Sequence, residues 1–115
     1  MKKILITLLQ DEVAPRFDLA TDVLVARTDD AGRVLSKKTL VLPAPSGEQM
    51  CQLVLSEGAD VVVCGGIENE FWQYLKWKGV SVVDSVMGPW ERALELSAAG
   101  SLSEGMILYP GRETD

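Results

Sequence analysis

The run Ala59-Asp60-Val61-Val62-Val63-Cys64-Gly65-Gly66-Ile67-Glu68-Asn69 constrains the fold more than any other part of the chain. β-Branched side chains favour extended backbone and pack well on a pleated surface, so Asp60 to Cys64 is expected to be a strand. Its apolar residues are continuous rather than alternating, the pattern of a strand buried on both faces of a sheet. The glycines then turn the chain, and a helix signal follows at about Asn69. A buried strand that turns straight into a helix is the unit of an α/β sheet, and such sheets keep ligands in the crevice beyond their strand ends. The segment is therefore expected to deliver a thiol, Cys64, and two exposed glycine amides to that crevice.

The remaining chain supplies the partners of that strand. Residues 2–9, Lys-Lys-Ile-Leu-Ile-Thr-Leu-Leu, read as a buried central strand. A loop broken by Pro15 runs from Asp11 to Asp18, and Asp22 to Thr28 forms a second strand. Asp29-Asp30-Ala31-Gly32 is turn chemistry, and Arg33 to Leu42 resumes as a third strand, so the two are expected to pair antiparallel. Pro43-Ala44-Pro45 ends the sheet there. Ser46, with Gln49 three residues on, has the spacing of a capping box, and Gly58 is the expected stop of this first helix. A second helix is expected from about Asn69, as N-cap, to Lys78, with Gly79 after it. Val80 to Val83 is the next strand, and Gly88-Pro89 opens a third helix with Trp90, Ala93, Leu94 and Ser97 on one face.

The order β-β-β-α-β-α-β-α combines a hairpin with right-handed crossovers. It predicts a three-layer α/β/α sandwich with a mixed sheet of about five strands, one of them antiparallel. Residues 1–115 are expected to form a single domain, with 102–109 as a short extension and 110–115 as a frayed tail.

Composition removes several function classes. No apolar run approaches the ~18 residues of a membrane span. Met1-Lys2-Lys3 followed by Ile4-Leu5-Ile6 resembles the start of a signal peptide, but Thr7, Gln10 and Asp11-Glu12 interrupt the apolar run, so a cytoplasmic chain is expected. The net charge of −6 and the scattering of the 11 basic residues argue against nucleic acid and anionic membranes. Cys51 and Cys64 are too few for a disulfide framework, and their spacing matches no zinc pattern. The chain has no histidine. That removes the Ser-His-Asp and Cys-His catalytic sets and leaves thiolates and carboxylates as metal ligands.

Five segments, in this order and spacing, resemble the dinitrogenase iron-molybdenum cofactor biosynthesis family. They are the opening strand, Val13-x-x-Arg16-Phe17-Asp18-x-Ala20, Gly58-Ala59-Asp60-Val-Val-Val-Cys64-Gly65-Gly66-Ile67, Leu75-x-x-x-Gly79-Val80-x-Val82, and Ala93-Leu94 to Gly100-x-Leu102. The resemblance covers roughly residues 2–103 and implies a ribonuclease-H-like α/β fold. It also implies a nitrogenase accessory domain that carries an iron-molybdenum or iron-sulfur type cluster or its precursor. Family members commonly show His-Phe-Gly where this chain reads Arg16-Phe17-Asp18. Arginine does not coordinate a metal, but it holds an anion through charge-assisted hydrogen bonds.

Two readings stand beside each other at every candidate position. Cys64 is either a soft thiolate ligand for an iron cluster or a small buried hydrophobe finishing a strand. Gly65 and Gly66, with Asn69, either present amides to an anion or only turn the chain, and Glu68 and Glu70 already satisfy the helix dipole there. Arg16 with Phe17 is either an anion clamp or a surface arginine above a core ring. Neither a dinucleotide fingerprint nor a Walker lysine is present. A two-metal nuclease would need convergent acidic strand positions, and the first strand carries Thr7 instead. Phe71, Trp72, Tyr74, Leu75 and Trp77 crowd more than one side of the second helix, so Trp72 or Trp77 is expected to be exposed at a homodimer or partner surface. The leading expectation is a non-enzymatic binding or carrier domain with its site between Arg16 and the Cys64-Gly65-Gly66 turn. The alternative is an interaction or regulatory domain of the same fold that binds no cofactor.

Overall fold

A computed structural model describes residues 2–109. Its order is β1 (Lys2–Leu9), β2 (Glu12–Val13), β3 (Asp22–Thr28), β4 (Val34–Val41), α1 (Gly47–Ser56), β5 (Val61–Val63), α2 (Asn69–Trp77), β6 (Ser81–Val83) and α3 (Trp90–Ala98). The main sheet runs β4-β3-β1-β5-β6, with β2 paired to β1 off this path. β1 pairs antiparallel with β3 and parallel with β5, and β5 pairs parallel with β6. β4 is antiparallel to β3, so β3 is the reversed member of the main path, as the hairpin predicts.

The sheet has six strands rather than about five. Glu12–Val13, expected within a loop, folds back as β2 on the end of β1, pairing Leu8 with Val13 and Leu9 with Glu12. β5 pairs with β1 only over Ile4 to Ile6, so the last residues of β1 would otherwise leave ladder groups open. A tight turn at Gln10, which takes φ 56°, closes this small hairpin.

Alternation along the strands divides the core in two. Leu5, Val23, Val25, Val62 and Cys64 face one side, where Met50, Cys51 and Val54 of α1 and Leu75 of α2 cover them. Ile4, Ile6, Leu24, Ala26, Val61 and Val63 face the other, beneath Ala93 and Leu94 of α3. Helices therefore lie on both faces, and β1 and β5 have strand partners on both edges as well.

Local chemistry sets the helix ends. The Ser46 hydroxyl accepts from the Gln49 amide at 3.2 Å, as its spacing predicts, a cap worth about 1 kcal/mol. α2 begins one residue earlier than expected: Glu68, not Asn69, is its N-cap, and Asn69 is its first helical residue. Glu68 makes no side-chain cap bond, because its carboxylate turns to Arg16 instead. Pro89 is likewise the N-cap of α3, not a residue of its first turn. The extension expected over 102–109 returns to the sheet, where Leu108 is buried and its amide donates to the Met87 carbonyl at 2.7 Å. The tail expected over 110–115 lies outside the described residues.

Leu75 is the one fully buried residue of α2, whereas Trp77 is 77% exposed. Leu75→Ala is expected to cost about 2–5 kcal/mol, and Trp77→Ala to stay within about 0.5 kcal/mol. Urea unfolding of the two variants measures both, and equal losses would contradict this packing.

Candidate functional site

The ends of β1 and β5 are joined by backbone contacts. After β2 the chain turns back, and the Ala14 amide donates to the Thr7 carbonyl at 2.8 Å. The Gly65 amide donates to the Ala14 carbonyl at 3.0 Å and the Gly66 amide to the Pro15 carbonyl at 2.7 Å. Phe17 returns a bond from its own amide to the Gly66 carbonyl at 2.8 Å. Gly65 is glycine for a steric reason: a Cβ there would stand 2.4 Å from both the Ala14 and the Pro15 carbonyl oxygens. The two amides expected to be exposed for an anion are therefore already used, and the glycines serve a close crossing of two chain segments.

Cys64 lies beneath that crossing, fully buried among apolar side chains. Its amide donates to the Val83 carbonyl at 3.1 Å and its carbonyl accepts from Val86 at 3.1 Å. Burial, with the Asp84 carboxylate adding to it, pushes the thiol up to about 12. Cys51 is also buried, and desolvation followed by Glu48 and Glu70 pushes its thiol up to about 11. A thiolate is the metal-binding form, and neither thiol is in it near neutral pH. Among the described residues no group of three or more cysteine, aspartate or glutamate side chains is placed to hold a metal ion. The donor set does not fit a cluster ligated by this chain.

Arg16 and Phe17 divide their roles. Phe17 is buried with its ring 6.0 Å from that of Phe71, and it anchors the loop in the core. The Arg16 guanidinium donates from Nε and Nη2 to the Asp18 carboxylate at 3.0 and 3.1 Å, and Nη2 reaches Glu68 Oε1 at 3.5 Å. It remains half exposed, so this pairing is worth little in stability and is open to exchange.

The structure brings Arg16 beside Gly66 in an isolated bridge, while the sequence-predicted residues border different hollows. Gly65 and Gly66 line a hollow of about 290 Å³ with Glu12, Ser85, Met87 and Tyr109. There the Tyr109 hydroxyl donates to Glu12, and this bond is the chief reason its pKa is raised. Arg16 belongs to a larger groove of about 380 Å³ on the other side of the loop, lined mainly by Leu8, Leu9, Ala14, Pro15, Leu19 and Ala20, with Asp22 at its border. Asn69 lies with Trp72, Asp84 and Glu104 beside a separate shallow hollow. Sequence reasoning missed the larger groove. Its signal was Leu9 and Leu19, apolar residues flanking a polar loop, which are 57% and 62% exposed. Thr7 was read only as a non-acidic strand residue, yet its Oγ1 is buried without a hydrogen-bond partner.

The family description "Dinitrogenase iron-molybdenum cofactor" matches residues 2–100. The chain belongs to this family. No curated protein matches it significantly. Among solved structures, the protein PH0822 is similar at 19% identity and TM-score 0.80, covering 89% of this chain and 93% of that one. A Methanocaldococcus jannaschii protein proposed to be a dinitrogenase has 22% identity and TM-score 0.72, over 88% of this chain and 91% of its own. The apo form of the orange protein from Desulfovibrio gigas has 21% identity and TM-score 0.71, over 100% of this chain and 98% of its own. At these identities the structural likeness establishes the shared mixed α/β fold. Among the described residues, no helix of this family member is long and apolar enough to cross a membrane.

The state of Cys64 has a measurable consequence. Unfolded, the thiol ionises near 9.0, whereas folded it keeps its proton up to about 12, so stability falls as pH rises through that interval. Urea midpoints across the interval are expected to decline less steeply for Cys64→Ala than for wild type, although the variant starts lower. Parallel declines would mean that the folded thiol ionises freely.

Proposed function

We propose that this chain is a non-enzymatic binding or carrier domain that holds a small anionic cargo, of the iron-sulfur or iron-molybdenum cluster type, without ligating it through its own thiolates. Family membership supports the cargo class. The observation that carries the reading is the groove beyond the end of β1, apolar over most of its wall, in which Arg16 is the one cationic lining residue among the described residues. An apolar wall excludes water and strengthens a charge-assisted bond, and arginine's planar fork suits an anion with several acceptor atoms. Asp18 and Glu68 hold the guanidinium until an anion replaces them. The cargo would thus be exchanged rather than locked in, which suits delivery.

The lack of histidine supports the non-enzymatic part, because the commonest acid–base residue is missing. The same reading keeps the chain among ribonuclease-H-like α/β/α domains, for which helices on both sheet faces speak, and in the cytoplasm, for which the interruption of the first apolar run by Thr7 and Gln10 speaks. A second reading, a protein-interaction domain without cargo, is favoured by one observation. Trp77 is 77% exposed on α2, with Lys78 Nζ 4.6 Å from its ring centroid and Trp72 half-buried on the same helix. That face would meet a partner or a second copy of the chain.

Anaerobic titration with a preformed cluster separates these readings. Wild type and Cys64→Ser are expected to bind alike, and Arg16→Ala about tenfold more weakly, the effect of one charge-assisted contact. Loss of binding in Cys64→Ser with Arg16→Ala unaffected would establish thiolate ligation and refute the groove. Absence of binding to wild type would leave the interaction reading.

A further inference from the structure

β4 stands at the edge of the sheet, and its outer row of amides and carbonyls has no strand partner among the described residues. It is eight residues long, and Val34, Leu35 and Val41 are 40%, 53% and 71% exposed. A long, open edge is a template for another strand, so its side chains decide which strand can add. In a chain of net charge −6, the segment Val34–Val41 carries Lys37 and Lys38 and no carboxylate.

The register turns these lysines to opposite faces, Lys37 across from Ala26 and Lys38 across from Val25. Lys37 Nζ lies 5.4 Å from the Trp90 ring centroid, and Lys38 Nζ lies 2.9 Å from Glu57 Oε1. Contacts on both faces thus fix one lysine on each side of the open edge, at its midpoint, with the charge of Lys38 partly offset by Glu57.

Their position disfavours one occupant. Residues directly opposite in an antiparallel pair share a face, so a twofold axis through the middle of β4 would pass through Lys37, setting Val34 against Leu40 and Ser36 against Lys38, or through Lys38, setting Leu35 against Val41 and Lys37 against Thr39. Apolar residues match near the ends, but a lysine would meet its own copy at the centre, and like charges directly opposite oppose pairing. A strand with two adjacent carboxylates at that place would instead offer one to each face.

We propose that the β4 edge docks an extended acidic segment of a partner protein by strand addition, and that Lys37 and Lys38 select this segment over a second copy of the chain. Selection of this kind combines attraction to one partner with a built-in repulsion against another.

The test uses two fluorescein-labelled peptides of alternating valine and threonine, one with two central glutamates and its twin with two central lysines. In anisotropy titrations with the full chain at low salt, the glutamate peptide is expected to bind about tenfold tighter than its twin. Added salt is expected to weaken it, and its binding to shift the amide resonances of β4. In the double variant Lys37→Thr/Lys38→Thr no charge remains at either twofold centre, so this variant is expected to lose the preference and to self-associate in sedimentation. Lys37→Gln, which removes one of the two charges, should fall between wild type and the double variant. Equal binding of the peptides, or binding of neither, would overturn the proposal by leaving the lysines as a guard against aggregation only. Self-association of wild type with concentration-dependent protection of the β4 amides would overturn it in favour of a second copy.

Discussion

The contact on which the rest of this structure depends is the backbone crossing of residues 14–17 over Gly65 and Gly66. Three hydrogen bonds, from Gly65 to Ala14, from Gly66 to Pro15 and from Phe17 to Gly66, tie the loop after β1 to the turn after β5. They close the upper end of one core and bury Cys64 beneath it. They also consume the amides that would otherwise have made an anion cradle. The crossing exists because Gly65 has no side chain, and any Cβ there would overlap two carbonyl oxygens. Phe17, packed on Phe71, adds the apolar contact that anchors the loop.

Two features of the surface follow. Sealing the turn separates a glycine-walled hollow bordered by Glu12 from an apolar groove bordered by Arg16. Charge decides between them, since an anionic cargo is repelled by the glutamate and attracted by the arginine. A thiol held protonated by burial is poorly suited to a cluster, so under the proposed carrier reading recognition would rest on shape and on one exchangeable cation. At the sheet edge, β4 stays open while carrying charge of the sign that opposes the chain's own net charge. Its last residue, Val41, pairs with Asp22 at the border of the groove.

Much of the scaffold was legible in the residues. The continuous apolar runs at Ile4 to Leu8 and Val61 to Val63 marked the buried strands, and Ser46 with Gln49 marked a cap that forms as spaced. β2 was not legible, because two residues carry no period, and Glu12–Val13 is a strand only through its pairing with β1. The larger groove was hidden for a related reason. Leu9 and Leu19 flank β2 and the loop after it, and only the return of that loop toward the start of β3 makes them two walls of one space.

Apart from β2, the sequence by itself determined the order of strands and helices, the reversed hairpin strand, the buried faces and the family, because each rests on local periodicity, turn chemistry and motif spacing. Only the tertiary structure decided what Cys64, Gly65 and Gly66 do. Whether an amide is free, or a thiol can ionise, depends on which distant segment packs against it. Here the segment around Pro15 comes close enough to take both amides and to exclude water from the sulfur.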